Sequence, residues 1–216
     1  MMKVKSDFKN VIFDLGGVLV DLDKERCVRN FCKLGLGALA DLIGTTHQRG
    51  ILADFEAGLI NGSEFCSQIR RIANNGSVSD ADIRAAWVSM LCGIRPEKLE
   101  LLRALKDRAR VFLLSNVNEF AWDYCLKNYF EVNGARLTDF FDDVFLSYKM
   151  KLLKPDLRIY EKLLKDAGLN AADCLFIDDS KENCEAAERL GIHSLQYKNS
   201  EASDFASSFL GKVFLA

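Results

Sequence analysis

The chain has 216 residues, 49% apolar and 28% charged, with 29 basic against 31 acidic side chains and a formal net charge of −2. That make-up suits one large α/β domain or a core carrying an insert. It excludes a strongly basic nucleic-acid binder and a disordered chain, and no apolar run approaches the ~20 residues of a membrane helix.

The first element is an apolar run from Asn10 to Asp14, read as a buried strand ending in a carboxylate. A long interval without strand-like alternation follows, roughly Leu22 to Gly93, and its charges balance. It reads as helices over Lys24–Lys33, Leu36–Leu42, Gln48–Ala57, Ser63–Ala73 and Ser79–Met90, with Ser63 and Ser79 as N-caps and glycines at 58, 62 and 76 as punctuation. Pro96 opens a helix carrying Leu99, Leu102 and Leu105, and Arg110–Ser115 is a second strand. Asp143–Ser147 is a third, followed by a helix with Pro155 in its first turn, Tyr160, Leu163, Leu164 and Ala167 along one side, and Gly168 at its end. Cys174–Asp178 is a fourth strand, Lys181–Leu190 a helix closed by Gly191, and His193–Tyr197 a weaker fifth strand.

Strands buried on both faces and alternating with helices predict an α/β fold, a doubly wound parallel sheet with an inserted all-helical cap. The expected boundaries are 1–21 and 94–216 for the core and 22–93 for the cap. An insert just after the first strand stands over the carboxyl edge of the sheet, where such folds bind ligands. The Val11–Val20 stretch is broken by Asp14 and makes a poor signal-peptide core, so a soluble, cytoplasmic protein without nucleic-acid or membrane partners is expected. Seven scattered cysteines with no CxxC pair fit free thiols in a reducing compartment.

The polar residues that end the strands carry the chemistry. Asp14, Ser115 and the Asp178–Asp179 pair share one edge of a parallel sheet, and Lys154, before its helix, can reach the same edge. Three carboxylates in one small volume repel one another unless a divalent cation sits among them. Hard oxygen ligands with open positions suit Mg²⁺, which shares phosphate oxygens with its substrate. With Lys154 and the Ser115 hydroxyl to hold a phosphate, the constellation suggests phosphoryl transfer. Each residue alone also has a structural reading, as a turn residue, a helix cap or a solvated lysine.

Phe13-Asp-Leu-Gly-Gly-Val-Leu-Val-Asp21, Leu114-Ser-Asn116, Lys154-Pro155 and Phe176-Ile-Asp-Asp-Ser180 resemble, in order, the four motifs of the haloacid dehalogenase (HAD) superfamily. The stretches from Lys154 to Tyr160 and from Phe176 to Gly191 are similar to its small sugar-phosphatase-like members with a helical cap. The resemblance implies a Mg²⁺-dependent phosphatase of small phosphorylated metabolites, of the sugar-phosphate type. It implies Asp14 as the nucleophile that forms an aspartyl-phosphate. It implies Mg²⁺ held by Asp14, the Gly16 carbonyl, Asp179 and Asp178. Ser115 and Asn116 would bond the transferring phosphoryl group, Lys154 would neutralise charge between nucleophile and phosphate, and Gly17 would allow the tight turn that faces backbone N–H groups toward it.

One position departs from the family pattern. Phosphatases of the family usually carry a second Asp two residues after the nucleophile, as general acid and base; here that residue is Gly16, although the DLGG-type motif also occurs among the sugar-phosphatase-like members. Such a loss typically costs ~10²–10⁴-fold in rate, which matters least for acidic leaving groups or where the cap supplies an acid. His47, Arg49, Glu56 and Trp87 are candidates for the cap face that closes on substrate, with His47 a possible replacement acid. Arg49 and Glu56 also fit solvated helix positions, and Trp87 with Met90 and Leu91 fits packing within the cap. His193 is expected to be structural. Haloacid dehalogenases also lack the second Asp, but they need no metal and replace the paired acids that Asp178–Asp179 supply here. A receiver domain has its acidic pair first in a much shorter chain, the wrong order. A non-catalytic module that keeps a phosphate pocket is the remaining alternative.

Overall fold

The computed structural model describes residues 8–39, 43 and 50–198. Its first strand, β1 (Asn10–Phe13), is buried along its whole length. After it come β2 (Val20–Leu22), α1 (Lys24–Lys33), α2 (Ile51–Glu56), α3 (Gly62–Ile72), α4 (Asp80–Val88) and β3 (Leu91–Ile94). The remainder alternates: α5 (Pro96–Lys106), β4 (Arg110–Ser115), α6 (Glu119–Cys125) running into a π-turn, β5 (Asp143–Leu146), the short α7 (Ser147–Met150), α8 (Leu157–Ala167), β6 (Cys174–Asp178), α9 (Lys181–Glu188) and β7 (His193–Gln196).

Five strands form one parallel sheet in the order β5-β4-β1-β6-β7. The period-two alternation of each strand explains why helices are needed on both faces. Val11 and Phe13, beside Val111, Leu113, Leu175 and Ile177, pack under Leu101, Leu102 and Leu105 of α5 and Trp122 of α6. Ile12, Phe112, Leu114 and Phe176 point the other way, onto Ile159, Tyr160 and Leu163 of α8 and Ala186 and Ala187 of α9. Each large apolar side chain fully buried this way contributes about 1.5–3 kcal/mol. From β1 the chain winds outward through β4 and β5, then returns to β6 on the other flank of β1. That reversal opens a crevice at the carboxyl ends of β4, β1 and β6.

The helical segment between β2 and β3 has an apolar cluster of its own, built from Phe31, Phe55, Phe65, Ile69, Ile83 and Trp87. Phe55 and Phe65 stack at 4.2 Å, and Phe120 of α6 joins them edge-on at 5.0 Å from Phe55. Its helix starts are capped: Asp23 accepts from the Arg26 N–H, Ser79 from Asp82, and Asn61 and Glu64 form a reciprocal capping box.

Several expectations need correction. The interval is not purely helical at its ends: β2 and β3 pair antiparallel as a two-stranded ribbon, so boundaries at 22 and 93 fall inside it. Buried Lys98 of α5 holds the base of this ribbon, donating to the Val18 carbonyl at 2.6 Å and to Asp21 at 3.2 Å. The segment expected as helix from Leu36 is a 3₁₀ turn at Gly37–Leu39, and residues 40–42 lie outside the described set. The helix expected over Gln48–Ala57 runs over Ile51–Glu56, after Gly50, whose positive φ of 57° breaks helical geometry, and residues 48 and 49 lie outside the described set. Asn61 rather than Ser63 caps α3. Pro155 is not in the first turn of a helix: the Lys154–Pro155 peptide is cis, and α8 begins at Leu157 with Asp156 as N-cap and Gly168, φ 63°, at its end. All seven cysteines are free thiols, five of them buried. His193 lies on β7, its ring 5.1 Å from that of Phe8.

Candidate active site

The crevice is a cleft of ≈ 480 Å³ between the carboxyl edge of the sheet and the helical segment. Asp14 is the first residue beyond β1, and its N–H still donates to the Ile177 carbonyl at 2.9 Å, continuing the ladder. The carboxylate is thereby delivered from a rigid strand end. Ser115 is the last residue of β4, Asp178 the last of β6, and Asp179 follows it. Asp14, Ser115 and Asp179 all line the cleft.

Lys154 ties these ends together. Its buried ammonium reaches Asp14 Oδ1 at 2.8 Å, Asp178 Oδ2 at 2.6 Å and the Leu114 carbonyl at 3.0 Å, using all three donors. Asp178 is saturated on its other oxygen by the Ser180 N–H at 2.8 Å and Asn183 Nδ2 at 2.9 Å. Asn183 is in turn held by the Tyr160 hydroxyl, which donates to its carbonyl at 3.0 Å. Asn116 accepts from the Lys154 N–H at 2.8 Å and donates to the Lys154 carbonyl at 2.9 Å. Both polar groups of Asn116 are thus engaged with the backbone of Lys154. A phosphoryl-bonding role, as the resemblance implied, would require it to let go; in this arrangement it positions the lysine.

Gly17 has φ 79°, and a Cβ there would lie 2.5 Å from Asp179 Oδ2, so only glycine fits the turn between the first and last acidic residues. Its own N–H donates to the Val20 carbonyl at 2.9 Å and is not turned into the cleft. Gly16 has no positive φ.

Electrostatics follow from this crowding. One oxygen from each of Asp14, Asp178 and Asp179 lies within 4.8 Å of the others, three negative charges against one ammonium. Burial pushes Asp14 up to about 7; Lys154 opposes the shift and Asp178 adds to it. Burial alone would lower Lys154, but Asp14 and then Asp178 outweigh it and hold the ammonium above the ordinary lysine value. The uncompensated oxygens are hard donors at the spacing a divalent cation bridges, so the residues present fit Mg²⁺.

Across the cleft, Trp87, Lys24 and Glu56 come from the helical segment. Trp87 belongs to that segment's apolar cluster and also lines the cleft. Glu56, open to a reading as a solvated helix residue, is half-buried and faces the cleft instead. His47 and Arg49 lie outside the described residues. Sequence reasoning passed over Ser147, Asn118 and Asn183. Asn118 carried one signal, as a residue able to cap α6, which it does. Ser147 and Asn183 carried none, because their partners are distant in sequence.

A parallel sheet whose strand ends gather an aspartate, a serine, a buried lysine and an acidic pair is an arrangement of the HAD type. Residues 8–191 match the haloacid dehalogenase-like hydrolase family, and the chain belongs to it. It is 31% identical over 191 residues to D-ribitol-5-phosphate phosphatase of Bacteroides thetaiotaomicron, covering 88% of this chain and 92% of that protein. It is 27% identical to the sesquiterpene phosphatase astK of Aspergillus oryzae, over 91% of this chain and 93% of the other. A crystal structure of a HAD family enzyme from B. thetaiotaomicron, in complex with magnesium and inorganic phosphate, superposes with a TM-score of 0.86. It is 40% identical, with 88% of this chain and 94% of that one covered. Among the described residues no helix is long and apolar enough to cross a membrane.

Proposed function

We propose that this hydrolase is a Mg²⁺-dependent phosphatase of small phosphate monoesters, of the sugar-phosphate or sugar-alcohol-phosphate type, working through an aspartyl-phosphate on Asp14. The observation that carries the reading is the cluster of Asp14, Asp178 and Asp179 around the Lys154 ammonium at one sheet edge. The relatives that act on phosphorylated small molecules, and the similar enzyme that binds magnesium with phosphate, support it.

In this reading Asp14, Asp179, the Gly16 carbonyl and Asp178, directly or through water, hold the cation. When bound, Mg²⁺ neutralises charge on the phosphoryl oxygens and screens the carboxylates from one another. Asp14 attacks phosphorus in line; Lys154 keeps its carboxylate aimed and offsets the repulsion as two anions approach. The Ser115 hydroxyl donates to a phosphoryl oxygen. The helical segment between β2 and β3 acts as a cap over the sheet-bearing core, keeping bulk water from the site while the ester reacts. The paired acids Asp178–Asp179 favour this reading over dehalogenation, which needs no metal.

The test is phosphate release from a panel of sugar and polyol phosphates and an aryl phosphate, with Mg²⁺ and with chelator, beside Asp14→Asn. Metal-dependent turnover in the wild type, reduced by ~10⁴-fold or more in the variant, is expected. Turnover in chelator, or an Asp14→Asn enzyme near wild-type rate, would overturn the mechanism.

A further inference from the structure

Gly16 leaves the proposed phosphatase without the family's acid, and the structure offers a replacement from the opposite wall. We propose that Glu56, carried at the end of α2, is the general acid and base of the reaction, a proposal that rests on the phosphatase reading above.

Among the described residues four carboxylates line the cleft: Asp14, Asp156, Asp179 and Glu56. Asp14 is bonded to Lys154, Asp156 caps α8 and is bonded to Arg158, and Asp179 belongs to the metal-ligating trio. The Glu56 side chain has no hydrogen bond or ion pair among the described residues, although it is half-buried. An in-line attack from Asp14 puts the leaving oxygen on the far side of phosphorus, away from the sheet edge. The wall on that side is the helical segment, and among its described residues Glu56 is the acid that lines the cleft.

The backbone around Glu56 is fixed to the core. Its carbonyl accepts from the Ser147 hydroxyl at 2.6 Å, and Ser147 Oγ in turn accepts from the Val117 N–H at 2.9 Å. The Gly58 carbonyl accepts from Lys151 Nζ, and Gly58 itself, φ 63°, lies so close under the Tyr148 carbonyl that no Cβ would fit. The turn after Glu56 thus docks on α7, which follows β5 directly, so the cap residue is referenced to the same sheet that carries Asp14. The charged groups that act on Glu56 are Lys24 on α1, Asp14 beyond β1 and Lys154 before α8. Burial pushes Glu56 up to about 8, opposed by Lys24, reinforced by Asp14 and opposed again by Lys154, so the proton is in place at neutral pH.

The step balances. As Asp14 attacks, the bond from phosphorus to the leaving oxygen breaks with its electron pair on that oxygen, and the Glu56 proton goes to it, releasing an alcohol. Water then attacks the aspartyl-phosphate, giving one proton to the Glu56 carboxylate and its hydroxyl to phosphorus. The bond from phosphorus to Asp14 breaks, restoring the carboxylate and the acid.

The experiment compares wild type with Glu56→Gln on a polyol phosphate and on p-nitrophenyl phosphate, in Mg²⁺, with rapid-mixing kinetics. An alkoxide needs a proton to leave; a nitrophenolate does not. Glu56→Gln is expected to lose ~10²–10⁴-fold in kcat on the polyol ester. On the aryl ester it should keep the first step and slow the second, giving a burst of one nitrophenolate per enzyme and a phosphorylated protein by mass spectrometry. Equal losses on both esters without a burst, or no loss, would overturn the proposal. Binding of inorganic phosphate with Mg²⁺ reports whether the variant is folded. Should it not be, Glu56→Asp reads the same partition, a larger loss on the polyol ester supporting the proposal and an equal loss refuting it. A wild-type enzyme that hydrolyses neither ester would instead remove the phosphatase reading itself; an active wild type with an unaffected variant removes Glu56 alone.

Discussion

At the sheet edge, Asp14, Asp178 and Lys154 are tied to one another by short ion pairs, whereas the helical segment offers Glu56 from a helix end held only through its backbone. The edge places its groups by strand register: β1 is paired residue for residue with β4 on one side and β6 on the other. The helical segment places its group by packing, an aromatic cluster behind it and a glycine turn beneath. Fixed charges belong on the rigid wall, where reorganisation would be costly, and the proton donor sits on the wall that meets a variable leaving group.

The largest effect should come from breaking the rigid wall. Lys154→Met removes the one ammonium between two buried carboxylates and leaves both unpaired. A loss of about 3–5 kcal/mol by denaturant unfolding without metal is expected, with turnover lost as well. Retained stability in chelator would mean that the fold does not depend on the lysine to hold these two side chains together.

A more local loss, without the direct loss of the sheet-edge groups, should follow from breaking the packed wall. Phe65 is fully buried in the cluster behind Glu56. Phe65→Ala should cost about 3–5 kcal/mol in that segment. Hydrogen exchange should rise in α2, α3 and α4 while β1, β4 and β6 stay protected, because the two sheet faces have clusters of their own. Uniform loss of protection would show the two regions to be one cooperative unit.

The subtlest test concerns pH. Asp14, pushed up to about 7, and Glu56, pushed up to about 8, hold protons more tightly folded than unfolded. Their contribution is fully present below the ordinary carboxylate range and is lost as pH rises through those values. The thermal midpoint of the metal-free protein should therefore fall between about pH 5 and pH 9, and Mg²⁺ should flatten the part due to Asp14. A midpoint that rises over that window would mean both carboxylates are held ionised.

The rigid wall was the legible one. Strands buried on both faces read as apolar runs, so Arg110–Ser115 and Cys174–Asp178 match the structure end to end, and the polar residue closing each run marks the ligand edge. The β2–β3 ribbon was not legible: its strands have three and four residues, one contains Gly93, and they are separated by the whole helical segment. The engagement of Asn116 with the Lys154 backbone, and the Gly17 N–H turned to Val20, were equally hidden, since a motif names a residue and not the partner its polar groups choose.

The sequence by itself determined the α/β alternation, the family and the strand-end residues, because these depend on local periodicity and on which residue follows an apolar run. Only the tertiary structure decided which way Glu56 faces and what Ser147 and Gly58 hold in place. Those outcomes depend on how the helical segment docks against α7 and α6, a matter of long-range packing between surfaces far apart in the chain.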